Sequence, residues 1–372
     1  MSQRTRAEID LSHLVHNYKA IAGAVAPAKV LPVVKADAYG HGAVAAARSL
    51  SRAGAELFAV AQFAEAMTLR DSGIREPILV FGRLFPDEIK PAVRADFRLT
   101  VFGEEDIDWI EKASLDRKAV VHVNVDTGMG RIGVLADRAP SLFQRLASSD
   151  RCIWEGVYSH FSTSDEADKT YALRQQLRFD ALLSRLDEKG LRPPMVHMAN
   201  SGGILDLPQS RYNAVRPGLI LYGYYPSEEV SRSIPLRQVM AFRTQVAHLR
   251  HMPADVSISY GRRWSTPDAT RIAVLPVGYA DGVRRDLTNR GRVCINGKTY
   301  PMVGTVTMDH IMVHVGGDDI RPGDEALIWG GEGEDSIRVL EVASSIGTIP
   351  YELTCGVSRR VPRLIVNDVA AV

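Results

Sequence analysis

The sequence predicts an α/β protein with two domains: an N-terminal (β/α)8 barrel of the TIM type, followed by a C-terminal domain of mainly antiparallel strands. Three observations predict this fold. A length of 372 residues exceeds what one ordinary core accommodates. Up to about residue 220, short β-branched apolar runs alternate with longer segments of helical periodicity. After about residue 240 the helical periodicity fades, and apolar runs punctuated by glycine replace it.

The first part contains a leading helix near residues 10–24 and then eight apolar runs that we interpret as strands. The runs lie near 30–35, 57–61, 78–82, 97–102, 119–125, 153–159, 195–198 and 212–216. Amphipathic segments separate them near 41–53, 63–72, 86–95, 104–114, 137–149 and 166–189. Parallel strands need such crossovers, and eight strands connected in this way within this length indicate a barrel. A doubly wound open sheet is the alternative, which the lack of a Gly-x-Gly-x-x-Gly turn after the first strand disfavours.

The last third is predicted to form a separate β domain. Its apolar runs lie at 240–249, 271–278, 291–296, 300–306, 310–315 and 325–329. Asn296-Gly297 between two of these runs is a strong hairpin signal. We place the domain boundary after residue 235, so that the barrel spans 1–235 and the β domain spans 236–372. Residues 1–10 are a candidate additional strand of the second domain.

Composition excludes several classes of protein. Hydrophobic residues make up 45% and charged residues 24% of the chain, with a net charge of +1, so nothing indicates nucleic acid or an anionic membrane as a partner. The three cysteines (Cys152, Cys294 and Cys355) fit neither a disulfide framework nor a zinc site, and no metal is predicted. Residues 1–10 lack the apolar core of a signal peptide, and no run of 18 or more apolar residues exists. We expect a cytoplasmic protein.

Lys35 lies where an apolar strand ends and a glycine-bracketed turn begins. A lysine that closes a buried strand loses hydration, which lowers its pKa and frees the amine as a nucleophile. Such an amine can form a Schiff base with an aldehyde such as pyridoxal phosphate. Tyr39, four residues on, is placed to turn back toward the same pocket. A surface lysine at a strand end is the alternative interpretation.

Other polar residues follow the predicted strands, where a barrel carries its active groups. They are Asp126 to Arg131 after the fifth strand, His160 after the sixth, Asn200 to Gly203 after the seventh and Arg216 to Gly218 after the eighth. A phosphate site after strands seven and eight recurs in barrels. Ser201, Gly218 and Leu219 are suitable donors for such an anion. The pattern indicates a barrel that holds a phosphorylated cofactor beside a lysine.

Short segments along nearly the whole chain resemble alanine racemase, a pyridoxal-phosphate enzyme family of fold type III. The first, Val-Val-Lys-Ala-Asp-Ala-Tyr-Gly-His-Gly at 33–42, is highly specific. The others are Val-Asp-Thr-Gly-Met-Gly-Arg-Ile-Gly (125–133), Tyr-Ser-His-Phe (158–161), Ala-Asn-Ser (199–201), Arg-Pro-Gly (216–218), Ser-Tyr-Gly (259–261), Val-Gly-Tyr-Ala-Asp-Gly (277–282), Met-Asp (308–309) and Pro-Tyr-Glu (350–352).

The resemblance implies two bases on opposite faces of the cofactor. Lys35 matches the Schiff-base lysine, and Tyr260 matches the second base. The family supplies this tyrosine from the other subunit, which implies a head-to-tail homodimer with two composite sites. Because tyrosine ordinarily has a pKa near 10, Tyr260 needs a depression of roughly two or more units to act near neutrality.

The resemblance also implies binding roles. Arg216 matches the arginine that faces the pyridine nitrogen, and His160 is expected to support it through a hydrogen bond. Arg131 and the Met308 backbone N–H match the groups that bind the substrate carboxylate. The remaining cofactor-binding matches are Tyr39, Asn200, Ser201, Gly218, Leu219 and Tyr351. Tyr279 and Tyr351 match residues that narrow the opening of the site, and Asp309 falls at another family position.

One position departs from the family pattern. The family often has a carbamylated lysine just before the strand-five motif, where its charge holds the substrate-binding arginine. This chain has Asn124 there, which cannot be carbamylated. We expect Arg131 to be held by the Asn124 amide, with a bound anion such as chloride as a possible replacement. Racemases of broad specificity also carry asparagine here, so this position weakens the inference to alanine alone.

The leading hypothesis is a cytoplasmic alanine racemase that makes D-alanine for peptidoglycan. A racemase of broad specificity, or one for serine or lysine, is the next alternative. A non-catalytic protein that binds pyridoxal phosphate is a remote one, because such single-barrel proteins lack the β domain and a Tyr260 equivalent. Barrel decarboxylases of basic amino acids usually present an acidic residue where this chain has Arg216.

Overall fold

The computed structural model describes residues 4–113 and 115–368. In chain order its strands are β1 (Arg6–Asp10), β2 (Lys29–Val30), β3 (Phe58–Val60), β4 (Ile78–Val80), β5 (Phe97–Val101), β6 (Ala119–Asp126), β7 (Val134–Leu135), β8 (Cys152–Tyr158), β9 (Met195–His197), β10 (Ala214–Val215), β11 (Met240–Gln245), β12 (His248–Met252), β13 (Thr270–Leu275), β14 (Arg292–Ile295), β15 (Lys298–Pro301), β16 (Ile311–His314), β17 (Glu325–Trp329) and β18 (Arg363–Val366). The helical segments are α1 (Leu11–Val25), α2 (Lys35–Tyr39), α3 (Ala43–Arg52), α4 (Phe63–Asp71), α5 (Pro86–Arg94), α6 (Glu104–Lys112), α7 (Ala139–Ser148), α8 (Thr170–Glu188), α9 (Ser201–Asp206), α10 (Val339–Ser345) and α11 (Pro350–Gly356).

The parallel sheet is the barrel that the alternation of the sequence predicts. Its order is β2-β10-β9-β8-β6-β5-β4-β3, with short β7 paired beside β6. The first strand closes the ring, because Val33 bridges Ala59 in parallel and the Val34 N–H donates to the Ala59 carbonyl at 2.9 Å. Every residue of β3 and β4 is buried, as expected of strands covered on both faces. The predicted fold class is confirmed.

The second part of the chain forms two mainly antiparallel sheets beside the barrel. One sheet has the order β15-β14-β17-β11-β1-β18, and the other has the order β12-β13-β16. β1 pairs antiparallel with β11 and parallel with β18, which ties the start of the chain to this domain. Asn296 and Gly297 join β14 to β15 with φ of 50° and 78°, the left-handed pair that a tight hairpin turn requires. The boundary after residue 235 stays a prediction.

Several elements differ from the expectation. The run 240–249 is two strands, β11 and β12, which belong to different sheets. The run 300–306 contributes only to β15, which ends at Pro301. The seven-residue helices α10 and α11 were not predicted, because they are shorter than the window over which helical periodicity can be recognised. No helix within the described ranges is both long and apolar enough to cross a membrane.

One close approach between the domains positions the site. α11 packs on the turn that follows the first barrel strand, at Gly40. Gly40 has a φ of 85°, and a Cβ there would overlap the Thr354 carbonyl of α11. Only glycine satisfies both conditions. This contact holds Tyr351 of α11 over the C-terminal mouth of the barrel, where its ring centre lies 5.8 Å from that of Tyr39.

Candidate active site

Lys35 begins a left-handed turn, which is uncommon for residues other than glycine. Ala36, Asp37, Ala38 and Tyr39 have φ between 52° and 54°. Left-handed helical backbone costs L-residues roughly 1–2 kcal/mol each. The turn carries the chain sharply away from the strand end, so that Lys35 stays at the barrel mouth while Tyr39 turns back into it.

Tertiary hydrogen bonds hold this turn in place. Glu65 accepts the Ala36 N–H at 2.6 Å, and Asp37 accepts the Ala43 N–H at 2.7 Å. Buried His41 places its Nδ1 at 2.9 Å from the Ala38 carbonyl and 3.0 Å from the Tyr39 carbonyl. Since carbonyl oxygens only accept, Nδ1 carries the proton. These contacts offset the strain of the left-handed backbone.

The environment of Lys35 favours the neutral amine. Burial lowers the pKa of Lys35, and the charge of Arg131 lowers it further, with a smaller contribution in the same direction from Arg216. Glu65 acts in the opposite sense. A lysine with a lowered pKa is a better nucleophile and proton acceptor near neutral pH than an exposed lysine.

Arg216 is buried at the same mouth and is held from several directions. Its Nη1 lies 2.8 Å from His197 Nδ1, and its Nη2 donates to the Ser159 carbonyl at 2.7 Å and the Met198 carbonyl at 3.0 Å. The Nδ1 of His160 lies 3.3 Å from Nη2. Burial lowers the pKa of Arg216 to about 10, so the guanidinium remains charged at neutral pH. Its Nε–H forms no hydrogen bond with any described residue.

A group of donors beside Arg216 forms a cradle for an anion. The Gly218 N–H donates to Ser201 Oγ at 3.2 Å, and the Leu219 N–H has no partner among the residues that the structure describes. A Cβ on Gly218 would overlap the Tyr39 hydroxyl, so this tyrosine closes over the same point. Asn200 orients the segment by accepting the Gly203 N–H at 3.0 Å. Hydroxyl and backbone N–H donors of this kind suit a phosphate group.

The loop after β6 carries Arg131 above this pocket. Asp126 accepts the N–H groups of Gly128 and Met129, each at 2.8 Å, and so fixes the start of the loop. Asn124, near the end of β6, is buried. Within the described part of the chain, no hydrogen bond joins Asn124 to Arg131, and the role of Asn124 in holding Arg131 stays a prediction.

The remaining predicted residues form a second group on the C-terminal domain. Tyr260 is 75% exposed and Met308 is 51% exposed, and Tyr279 is exposed as well. Asp309 accepts a hydrogen bond from Arg360 at 2.8 Å. Among the described residues, no hydrogen bond, ion pair or ring contact links this group to Lys35 or Arg216. The single chain therefore presents two separate halves of the predicted site.

The polar residues beneath Arg216 were not predicted from the sequence. His197, His122 and Glu155 lie in series below its guanidinium, and the Tyr158 ring stacks on His197 with centres 4.8 Å apart. Two signals were available. A histidine within the apolar run at 119–125 is a buried polar group that needs partners, and a charged residue next to Gly156 within a strand indicates a bulge.

The residues at the barrel mouth fit pyridoxal phosphate. The amine of Lys35, whose pKa is lowered by burial and by the charge of Arg131, suits the aldehyde. The cradle at Ser201 and Gly218 suits the phosphate, and the Nε–H of Arg216 suits the ring nitrogen, which accepts hydrogen bonds. No cluster of His, Cys, Asp or Glu side chains within the described residues could hold a metal ion. The fold and the site thus define the class of barrel enzymes that use pyridoxal phosphate to act on amino groups.

Comparison with known proteins identifies the family within this class. The family model described as "Alanine racemase, N-terminal domain" matches residues 9–226, and the one described as "Alanine racemase, C-terminal domain" matches residues 239–365. The chain belongs to the alanine racemase family, whose members are pyridoxal-phosphate-dependent isomerases.

Individual relatives match along nearly their whole length. Alanine racemase 2 of Caldanaerobacter subterraneus is 40% identical over 370 residues, which cover 97% of this chain and 95% of the relative. Alanine racemase of Methanococcus maripaludis is 41% identical, with 97% and 98% covered. Among solved structures, alanine racemase of Clostridium difficile superposes with a TM-score of 0.91 at 37% identity, covering 98% of this chain and 96% of that one. Alanine racemase of Bacillus anthracis with bound L-Ala-P gives 0.90 at 36% identity, with the same coverage.

Proposed function

We propose that this protein interconverts L-alanine and D-alanine with bound pyridoxal phosphate, supplying D-alanine for peptidoglycan, and that two copies of the chain build each active site. The observation that carries the proposal is the placement of Lys35, with its lowered pKa, at the same barrel mouth as the buried guanidinium of Arg216. The family assignment supports the same reaction.

Pyridoxal phosphate, when bound, supplies an electron sink that makes the α-proton of an amino acid acidic. Ser201, Gly218, Leu219 and Tyr39 would hold its phosphate. Arg216 would donate a hydrogen bond to the ring nitrogen and keep its proton, since the guanidinium stays charged. A ring nitrogen that accepts this hydrogen bond would remain unprotonated. The cofactor would then delocalise less of the negative charge that develops at Cα, which favours rapid return of the proton to Cα.

Lys35 then moves the proton on one face of the substrate. Burial and the nearby Arg131 favour its neutral form, so the amine can accept a proton near neutral pH. Tyr260 of the partner subunit is proposed to do the same on the opposite face. Racemisation requires both faces, because a single base would return the proton to the side from which it was removed.

Exposure of the second group supports the homodimer. Tyr260, Met308 and Tyr279 leave large apolar surfaces open on one chain. An exposed apolar group beside functional side chains is typical of a protein interface. A head-to-tail pairing with two-fold symmetry would place each such group over the barrel mouth of the other copy, twice per dimer.

Substrate binding is proposed to involve Arg131 and the Met308 N–H of the partner subunit, which would receive the carboxylate. Asn124 and Gly133 lie together under this loop, since a Cβ on Gly133 would come within 3.0 Å of Asn124 Oδ1. The neutral amide leaves the role of the carbamylated lysine to another group, such as a bound anion. The cytoplasmic location stays a prediction.

The test is a solvent-exchange assay of the purified protein with pyridoxal phosphate in heavy water. With L-alanine we expect deuterium at Cα and D-alanine to appear together, by proton NMR and by chiral chromatography. L-serine and L-lysine measured in parallel define the substrate range. Absence of both exchange and inversion with every amino acid would contradict the proposed function. Faster inversion of serine or lysine than of alanine would contradict the assignment to alanine.

A further inference from the structure

A series of polar side chains, buried except for the partly exposed Glu155, runs through the barrel from Arg216 toward the opposite end. His197 Nδ1 lies 2.8 Å from Arg216 Nη1, and His197 Nε2 lies 2.9 Å from His122 Nδ1. His122 Nε2 lies 2.9 Å from Glu155 Oε2. Arg98 donates to the same carboxylate at 3.1 Å. The chain therefore connects the guanidinium at the active mouth to a carboxylate on a different part of the barrel wall.

The guanidinium of Arg216 at one end of this series and the carboxylate of Glu155 at the other determine the direction of every hydrogen bond between them. A guanidinium only donates, so His197 Nδ1 must accept and its Nε2 must carry the proton. A carboxylate only accepts, so His122 must carry its proton on Nε2. The bond between the rings then runs from His197 Nε2 to His122 Nδ1. Both histidines are neutral in this arrangement, and no other assignment satisfies both ends.

The electrostatic surroundings agree with these neutral rings. Burial lowers the pKa of both His122 and His197, and the positive charge of Arg216 acts in the same direction. Burial alone would raise the pKa of Glu155, but hydrogen bonds from His122 and Arg98 lower it to about 2. Glu155 is thus a permanent anion near neutral pH.

The strand bearing Glu155 is shaped around the chain. β6 and β8 shift register between Val121, which pairs with Trp154, and His122, which pairs with Gly156. Glu155 is the extra residue of this β-bulge, a feature that turns a side chain in a new direction. At Gly156 a Cβ would overlap the His122 ring. The bulge and the glycine admit the carboxylate and the imidazole at one point.

We propose that Glu155, His122 and His197 are positioning residues that hold the Arg216 guanidinium in one orientation and supply the remote negative charge that balances it. The inference rests on the proposed function, since Arg216 matters there as the donor that keeps an acceptor unprotonated. None of the three residues needs to contact substrate. Their effect reaches the reaction through Arg216 alone.

The matched substitutions are Glu155→Gln and Glu56→Gln. The amide introduced by Glu155→Gln keeps an oxygen that accepts from His122, but it removes the charge. Glu56 lines the same groove of about 430 Å³ as Glu155 and forms an exposed ion pair with Lys29. Its substitution therefore removes a nearby negative charge that is not hydrogen-bonded to the histidines. Glu155→Asp keeps the charge and serves as the conservative variant.

We expect Glu155→Gln to lower kcat roughly 10- to 100-fold, as loss of a carboxylate that orients a functional imidazole does in metal sites, with KM for alanine within about twofold. Release of pyruvate per racemisation event should rise, with the amino group of alanine left on the cofactor as pyridoxamine phosphate, because a loosened Arg216 would no longer suppress this transamination. Glu56→Gln should match the wild type, and Glu155→Asp should recover most of kcat. Equal kcat and pyruvate release in Glu155→Gln and Glu56→Gln would overturn the proposal.

A second readout is independent of turnover. Nitrogen-15 NMR of histidine-labelled apoprotein distinguishes the two neutral tautomers, with resonances assigned from single His122 and His197 substitutions. We expect both rings to be neutral and protonated on Nε2. A proton on Nδ1 of either ring would contradict the proposed hydrogen-bond directions. This measurement uses the unaltered Glu155, so it holds even if Glu155→Gln fails to fold. Loss of racemisation in the wild type would instead contradict the proposed function, so the two failures are distinguishable.

Discussion

The reactivity of a lysine in this protein depends on where it lies in the fold. Lys29 begins the first barrel strand, β2, and Lys35 begins the turn α2 that follows the same apolar segment. Lys29 is exposed and pairs with Glu56, whereas Lys35 is half-buried near the charges of Arg131 and Arg216. Charge repulsion and lost hydration both disfavour its ammonium form, which leaves an amine able to react.

We predict that Lys35→Ala abolishes both racemisation and the visible absorbance of the bound cofactor, because it removes the amine proposed to bond to the aldehyde. Lys29→Ala is the control and should retain both, with stability changed by less than about 1 kcal/mol as for an exposed ion pair. Absorbance spectroscopy and the exchange assay measure the two properties. Turnover by Lys35→Ala without added amine would remove the assignment.

Tyr260→Phe should affect the two isomers unequally. Removing the hydroxyl deletes the proposed base on one face only, so α-deuterium exchange from L-alanine should fall by at least about tenfold more than exchange from D-alanine, within the range of general-base effects. Single-turnover exchange in heavy water measures both rates. An equal fall for the two isomers would argue against separate bases on opposite faces.

Among the elements, the left-handed segment α2 is the one that local sequence does not predict. The apolar strand runs predicted the barrel because burial on both faces selects β-branched residues. Ala36 and Ala38 carry no signal for positive φ, since alanine prefers right-handed helix. The conformation is imposed by two side chains instead. Glu65, which is distant in sequence, accepts the Ala36 N–H, and the His41 ring bonds to the Ala38 carbonyl.

Glycine should therefore be tolerated at Ala36 better than in an ordinary helix. Ala36 is exposed with a φ of 52°, a conformation that glycine adopts without penalty. Ala36→Gly should leave the free energy of unfolding unchanged or raise it by up to about 1 kcal/mol. Ala181→Gly, at an exposed position within right-handed α8, should lower it by about 1 kcal/mol. Denaturant unfolding midpoints measure the stability of the two variants. An equal loss of stability in both would contradict a strained backbone at Ala36.

The same limit applies to the site as a whole. Residues at strand ends, such as His160 and Arg216, could be placed from the barrel pattern alone. The series His197, His122 and Glu155 could not, because it depends on a register shift between β6 and β8 that only the folded sheet defines. The contact of Tyr351 with Tyr39 likewise depends on packing between domains.

Across the whole molecule, buried neutral histidines link stability to pH. Burial lowers the pKa of His41 to about 3 and also lowers those of His122, His160 and His197. Unfolded chains take up these protons near pH 6.5, while the folded protein does not. Stability is therefore lost as pH falls below about 6.5, by about 1.4 kcal/mol per pH unit for each such group.

We predict that denaturant midpoints of unfolding decline from pH 6.5 to pH 5. His41→Gln should make this decline shallower, because it removes the contribution of one buried histidine to the pH dependence of stability. His251→Gln, at an exposed position on β12, should leave the slope as in the wild type. Denaturant unfolding at fixed protein and cofactor concentrations gives the slopes. Parallel slopes in all three proteins would contradict a neutral His41 in the fold.

The central claim is that two chains share each active site, with Lys35 from one and Tyr260 from the other. The most direct measurement mixes inactive Lys35→Ala with inactive Tyr260→Phe under conditions that exchange subunits, with exchange verified by native mass spectrometry. Mixed dimers would then contain one doubly altered site and one intact site, so random pairing should restore roughly a quarter of wild-type racemisation. A mixture that exchanges subunits yet stays as inactive as its parents would contradict the account.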